Sequence, residues 1–549
     1  MLPLVLWIAL ISLAGEAVAQ TDGVLQINDD IHAFLRQQQV RGNLPDAHLE
    51  HLPLSAGEAR EHLEAIEERT STLTSFERRE LAHHLHGFES GPVAALQGLI
   101  PSAYRNGVDL FSIGDEAYGV QINPLLYAEY GPVIRSDIRF SDEEDTAWRY
   151  ARGARLSGHI GRYVFFETRL TENRTKPVEF DLAGGTAPRL GFVNTSDGVS
   201  YDHFEAEGIV GVRTPHFEAR FGRDRHVWGP ARGSLLLSDY ASPYDHLQLR
   251  ATLGPFQYTT LFAGLSERRY RRGGSDSLVP RKYAAFHRLS VAVHERITLS
   301  VAEAVVFETD TLGARSGFDL SYLNPIIFYR AVERHRGSPD NVVISAAAAW
   351  RPVDGAEVYG SLLLDEMVVS RIGEGWWGNK WGWVLGAFAA PADRLALRVE
   401  LARLRPFLYS HRAPGTDYIH YNDLLGHLAG PNSVDLALFA DVRLTPRLTG
   451  VLYAAHTWHG RNPPGENFGG DPLEPYGTRT RSDDIAIMEG ILEKTLLLEG
   501  QAGYELMPGL VVRAVLRATS RTDEVLGTRR WLHPAAAISW GVPPVFTRY

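Results

Sequence analysis

After residue 120 the chain settles into short β-like segments joined alternately by very short turns and by long loops. The short joints include Thr214-Pro215, Gly254-Pro255, His294-Glu295, Pro352-Val353-Asp354, Pro391-Ala392-Asp393, Thr445-Pro446 and Met507-Pro508. The long ones run over roughly 172–202, 225–246, 267–281, 308–341, 366–379, 405–432 and 458–490. Brevity on one side and length on the other is the pattern of a transmembrane β-barrel, with periplasmic turns and extracellular loops.

Within the segments the side chains alternate with period two. Leu247, Leu249, Ala251 and Leu253 alternate with His246, Gln248, Arg250 and Thr252. Leu395, Leu397, Val399 and Leu401 alternate with Arg394, Arg398 and Glu400. Val434, Leu436, Leu438 and Val442 oppose Asp435, Asp441 and Arg443, and Leu510, Val512, Ala514 and Leu516 oppose Arg513 and Arg517. A soluble sandwich shows the same alternation. Turn asymmetry, segments of about ten residues and a secretory leader favour the membrane. Hydrophobic residues make up 44% of the 549, yet no run of 18 follows the N-terminus, which excludes helical spans. The expected fold is an all-β transmembrane barrel of about 18 antiparallel strands with a small N-terminal α-helical periplasmic domain. The last strand is expected at Trp531–Trp540, before Pro543-Pro544, and both termini are expected in the periplasm.

Residues 1–19 read as a signal peptide, with an apolar core from Leu2 to Leu13 and Ala17-Val18-Ala19 as the cleavage site. Residues 20–110 read as the helical domain and 111–549 as the barrel. Asn28-Asp29-Asp30 precedes Ile31, Phe34 and Leu35, which share a helical face. Ser55 with Glu58, and Thr74 with Glu77, sit at capping-box spacing before two further helices. His83, His84 and His86 lie on the last of these and read as a solvated helix end rather than a metal site. Cysteine is absent, so thiolate chemistry and disulfides are excluded. The net charge of −11 argues against nucleic acid as a partner.

Several stretches are more specific than pattern. They are Gly222-Arg223-Asp224-Arg225-His226-Val227-Trp228-Gly229-Pro230 and Phe318-Asp319-Leu320-Ser321-Tyr322-Leu323-Asn324-Pro325-Ile326-Ile327-Phe328-Tyr329-Arg330. Leu362-Leu363-Leu364-Asp365-Glu366, Tyr421-Asn422-Asp423-Leu424-Leu425-Gly426-His427 and Gly430-Pro431-Asn432 follow. In this order, and with the helical stretch Leu35 to Gly42, the chain resembles the Wzi-type capsule assembly proteins of Gram-negative outer membranes. The resemblance implies an 18-stranded barrel with a helical bundle at its periplasmic end. It also implies a lectin-like, non-enzymatic role in attaching or assembling capsular or other extracellular polysaccharide at the cell surface. It supplies no catalytic residues and no defined sugar-site motif. The helical domain is expected to close the periplasmic mouth or to dock a partner there, the capsule export machinery being one candidate.

Sugar recognition needs aromatic faces and planar polar groups, and acidic glycans add carboxylates that Arg holds with paired hydrogen bonds. Loop 267–281 carries Arg268, Arg269, Tyr270, Arg271 and Arg272, with Arg281 and Lys282 at its exit. That stretch reads as an anionic-glycan contact, as a solvated basic loop, or as a contact to lipopolysaccharide phosphates in the surrounding outer-membrane lipid. Trp376, Trp377, Trp381 and Trp383 read either as a stacking platform or as part of the aromatic girdle of a barrel. Asn324, Arg330 and Asp365 are expected to pin loops inside the lumen, where charges need partners.

Catalysis finds no support. Asp365 and Glu366 are adjacent and point to opposite faces of a strand. His411, His420 and His427 share a loop with Asp417 and Asp423, but no G-x-S-x-G elbow accompanies them. No metal or cofactor motif is present, and none is expected. The principal alternative function is a sugar-selective porin, whose lumen would be water-filled.

Overall fold

The computed structural model describes residues 23–88, 108–115, 117–135, 145–179, 186–187, 189–194, 197–267, 281–308, 320–324, 328–331 and 340–543. The expected signal peptide and the terminal Tyr549 lie outside them.

Among these residues eighteen long antiparallel strands close into one barrel. They are β1 Tyr118–Pro132, β2 Thr146–Ile160, β3 Val164–Lys176, β4 Tyr201–Arg213, β5 Phe217–Asp224 and β6 Tyr244–Leu253. Next come β7 Phe256–Ser266, β8 Arg281–His294, β9 Ile297–Glu308, β10 Asn341–Val353, β11 Ala356–Glu366 and β12 Lys380–Ala392. The last six are β13 Leu395–Leu404, β14 Ser433–Thr445, β15 Leu448–Arg461, β16 Ile491–Met507, β17 Leu510–Asp523 and β18 Gly527–Trp540. β18 pairs with β1 to close the sheet, Ile538 opposite Ala128. Phe111–Gly114 adds a short segment on β1 near that seam. The joints at one end span two or three residues, and most at the other end are long. These are called the turn end and the loop end.

The first strand starts at Tyr118 and the last at Gly527, four residues ahead of the expected Trp531. The last strand opens on Gly527-Thr528-Arg529-Arg530, which hides its start from a hydrophobic pattern. The turn-end joint at 161–163 and the three-residue loop-end joint at 524–526 also escaped it.

The four alternating segments take the facing that the pattern predicts. On β13 the outward row is Leu395, Leu397, Val399 and Leu401, and on β17 it includes Val512 and Leu516, about half exposed. The outer wall is therefore apolar, as lipid requires. The inward row is polar yet dry: Arg220, Gln248, Arg288, Glu400, Glu499 and Asn173 are each at most 4% exposed. A water-filled pore would leave such groups wet.

Three α-helices explain part of that burial. α1 Asp30–Val40 is capped by Asp29, α2 Ala56–Glu67 by Ser55 and α3 Ser75–His86 by Thr74. Phe34, Leu35, Leu63, Ile66, Leu81 and Leu85 form their shared core. Thr74 and Glu77 complete the expected capping box. Ser55 caps without reciprocation, because the Glu58 carboxylate turns instead to Arg250 of the barrel wall at 2.5 Å.

That diversion is one of a set. Arg36 pairs with Glu357, Glu50 with Arg288, Glu61 with Arg213 and Glu80 with Arg443, each joining the helical segment to an inward strand residue near the turn end. Arg220 donates to the Pro53 carbonyl and Arg351 to that of Pro45. The N-terminal segment thus plugs the turn-end mouth. From the loop end, residues 225–243 and 405–432 fold into the lumen. His51–Leu52 of the plug forms a short ladder with Val227–Trp228 of the descending loop. Plug and loop meet there, and the lumen is filled along its length.

Removing one partner of a buried ion pair costs about 3–5 kcal/mol, while replacing both by apolar groups is often neutral. Glu80→Ala is expected to loosen the plug by about that amount, read as faster proteolytic release of the helical segment from a folded barrel. The double change Glu80→Leu with Arg443→Met is expected to restore resistance.

Candidate functional site

The lumenal loops are held by polar pins. Asp365 and Lys380, neighbours on β11 and β12 with fully buried side chains, pair at 2.8 Å. Asp365 accepts from the Tyr409 amide at 3.0 Å, and Lys380 donates to the Ser410 carbonyl at 3.1 Å. Tyr409 and Tyr418 stack at 5.6 Å and donate through their hydroxyls to the carbonyls of Leu235 and Leu236. Glu400 on β13 accepts from the Arg232 and Gly233 amides at 2.7 and 3.0 Å. Lys282, inward on β8, pairs with Glu267 and donates to the Asp417 carbonyl. The carboxylates and lysines tie wall strands to the inserted loops, and the two tyrosines tie those loops to each other.

The expected roles of Asn324 and Arg330 are corrected by this geometry. Both lie outside the barrel, on a strap over the outer wall. Tyr322 and Tyr329 of the strap are fully buried against the outward Phe262, Ala285, Val305 and Phe307. Glu303 points outward on β9, and a bare carboxylate there would face lipid. It accepts instead from the Tyr329 and Arg330 amides at 2.6 and 2.9 Å and meets His287 at 3.3 Å. Glu303 is the residue that sequence reasoning missed. Its signal was a lone acid in the apolar parity of Leu299, Val301, Val305 and Phe307.

The tryptophan cluster divides. Trp381 and Trp383 sit on β12 in the outward row with Leu385, at the loop-end rim. Trp376 and Trp377 belong to the loop before β12 and meet loop 462–490. Trp377 packs on Tyr476 at 4.7 Å, the Arg479 guanidinium covers its ring at 4.4 Å, and Phe407 meets it edge-on at 6.0 Å. Arg371 covers Trp376 at 4.9 Å and pairs with Glu374 and Asp483. The Trp377 amide donates to the Ser482 carbonyl and the Ile485 amide to that of Gly375, which locks the two loops together. The result is a half-exposed shelf of Trp376, Trp377 and Tyr476 with Arg371 and Arg479 on it. Flat rings with adjacent cations suit stacking on a ring and holding a carboxylate.

Arg281 is exposed at the start of β8. Arg268, Arg269, Tyr270, Arg271 and Arg272 lie outside the described residues. Among the described residues no group of three or more His, Cys, Asp or Glu is arranged to hold a metal ion. The loop histidines are structural: His411 bonds to Thr416 at 2.6 Å, and His420 accepts from the Ser266 amide at 3.0 Å. Burial pushes the pKa of each down to about 3.

Asp423 is buried in the same loop, accepting from the Arg189 amide at 3.0 Å. Burial pushes its pKa up to about 7, against the pull of that amide and of Arg189 and Arg225. A carboxyl raised on folding stabilises most when protonated, and its contribution is lost as pH rises through the folded value. Hydrogen exchange around 419–425 is therefore expected to quicken between pH 5 and 8.5, beyond its intrinsic pH dependence. Asp423→Asn should abolish that excess, and an excess of the opposite sign in the wild type would contradict the assignment.

With this geometry in view, comparison with known proteins is informative. The model of the family described as capsule assembly protein Wzi matches residues 117–462. No curated protein sequence matches the chain. Wzi of Escherichia coli superposes with a TM-score of 0.57 at 13% identity, over 95% of this chain and 100% of that one. That protein is an outer-membrane protein involved in group 1 capsule assembly and a carbohydrate-binding β-barrel. Pseudomonas aeruginosa OprD gives 0.39 at 11% identity over 76% of this chain and 94% of its own. A BenF-like porin from Pseudomonas fluorescens Pf-5 gives 0.41 at 12%, over 76% and 98%. A family match over more than half of the chain, on a closed barrel of the same architecture, places this protein in the Wzi capsule assembly family.

Proposed function

We propose that the protein is a non-enzymatic, lectin-like barrel of the outer membrane that binds capsular or other extracellular polysaccharide and helps attach or assemble it at the cell surface. The observation that carries this reading is the aromatic and arginine shelf of loops 367–379 and 462–490, held at the end opposite the short turns. In this reading the loop end faces outward, and the turn end, the helical domain (20–110) and both termini face the periplasm. The leader at 1–19 is removed on export. The plug then offers the capsule export machinery a folded surface beneath the barrel (111–549).

Trp376, Trp377 and Tyr476 supply faces for sugar rings, and Arg371 and Arg479 supply charge for uronate or other acidic substituents. Arg281 and the basic stretch Arg268, Arg269, Arg271 and Arg272, with Tyr270, join this reading on sequence alone, as a second cationic contact. Trp381, in the outward row, is reassigned from glycan contact to the membrane side.

The filled lumen argues against the porin alternative, because dry inward side chains and interlocked loops leave no continuous aqueous path among the described residues. Reconstituted in a planar bilayer, the protein is expected to show no steady single-channel conductance.

Truncating a hot-spot tryptophan or arginine costs about 2 kcal/mol or more, and about 1.4 kcal/mol is tenfold in affinity. Trp377→Ala and Arg479→Ala are each expected to weaken binding of the host polysaccharide by about tenfold or more, while Trp381→Ala leaves it unchanged. Equal losses from Trp377→Ala and Trp381→Ala, measured on folded protein, would remove the shelf from the binding surface.

A further inference from the structure

Outside the barrel, beside the shelf but facing away from it, lies a groove of about 630 Å³. Trp381 and Trp383 of β12, Leu401 and Arg403 of β13, Arg405 and Met488 line it. The strand parity places it on the outer wall: Leu397, Val399 and Leu401 run up the outward face of β13 and Arg403 ends the row. Segment 485–488 roofs the groove, tied down by the Met488 amide on Asn432 and the Ile485 amide on Gly375.

The charge here is unbalanced. The cross-strand neighbours of Arg403 are Trp383 and Val434, an aromatic and an aliphatic residue. Among the described residues neither Arg403 nor Arg405 has a carboxylate partner. Arg405 donates to the Trp376 carbonyl at 3.3 Å, and its Nε is buried without a partner. Burial and the adjacent Arg403 charge both press the Arg405 pKa down. Arg443 and Arg250 of the barrel wall, by contrast, each pair with an acid. Two adjacent cations bordered by indole and leucine surface call for a ligand with an anionic head and apolar tails. A hydrophilic glycan satisfies only the first.

We propose that this groove binds a phosphorylated glycolipid of the outer leaflet, a lipid A-type molecule, with a phosphate between Arg403 and Arg405 and acyl chains along Trp381, Trp383 and Leu401. The proposal rests on the orientation given above, in which the loop end lies at the outer-leaflet surface. The site would fasten the glycan shelf to the lipid layer beneath the capsule, since loop 462–490 carries both Tyr476 of the shelf and the 485–488 roof of the groove.

The test is native mass spectrometry of the full-length protein in detergent, titrated with bisphosphorylated lipid A, with the same lipid lacking phosphates, and with inorganic phosphate. The wild type is expected to favour the bisphosphorylated lipid by about tenfold. Arg403→Gln with Arg405→Gln is expected to abolish that preference while leaving polysaccharide binding intact. Arg403→Gln alone, at an exposed position, serves if the double variant does not fold. Equal binding of both lipids, undiminished preference in the variants, or displacement of the lipid by millimolar inorganic phosphate would each overturn the proposal. Labelling of a tag in loop 462–490 on intact cells reads the orientation separately, so an inverted barrel is distinguished from an empty groove.

Discussion

Arginine in a closed barrel cannot escape its charge. The guanidinium keeps its proton at any accessible pH, and taking it out of water costs several kcal/mol unless acids and carbonyls surround it. In this protein the inward rows place Arg213, Arg220, Arg250, Arg288, Arg351, Arg398 and Arg443 at the turn end, and acids or carbonyls meet every one. Some of those acids are on neighbouring strands, such as Glu218 and Glu400. Others, Glu50, Glu58, Glu61 and Glu80, are contributed by the N-terminal segment. The barrel wall and the plug are therefore halves of one electrostatic unit. The arrangement explains why a small domain of three short helices docks where it does, and why Glu58 leaves its own helix end to reach Arg250.

A dry lumen has consequences at the other end. With residues 225–243 and 405–432 drawn inward by Asp365, Lys380, Lys282 and Glu400, the described interior is packed with protein. Among the described residues, loop surface remains chiefly on 367–379 and 462–490. They place indole and phenol rings beside arginines, and the second of them also roofs the outer groove through 485–488. The proposed binding role uses the solvent-facing aromatic area that these loops leave, and membership of a capsule assembly family is the ground for proposing polysaccharide as its ligand. The outer wall follows the same rule as the lumen: Glu303, an acid in an apolar row, is covered by the strap and bonded to two of its amides.

Much of this was legible in the sequence because it rests on short-range periodicity. The alternation at 247–253, 395–401, 434–442 and 510–516 assigned inward and outward faces correctly. The caps at Asp29, Ser55 and Thr74 located the three helices. What escaped notice depends on partners far along the chain. Nothing local in Glu58 distinguishes a capping-box acid from one bound to a strand residue 192 positions away. The motif around Tyr322 and Arg330 looked like loop pinning and is loop packing, but on the opposite side of the wall. Trp376 and Trp381 share one sequence cluster, and only the start of β12 between them decides that they face different media.

The central claim is that a closed barrel presents a polysaccharide-binding surface. Its most direct test is binding of the host's own surface polysaccharide to the folded, purified protein over a range of salt. The account predicts saturable binding, selective over unrelated glycans, that weakens as ionic strength rises and the arginines are screened. Absence of binding by folded protein, or binding equally strong to any glycan and indifferent to salt, would contradict it.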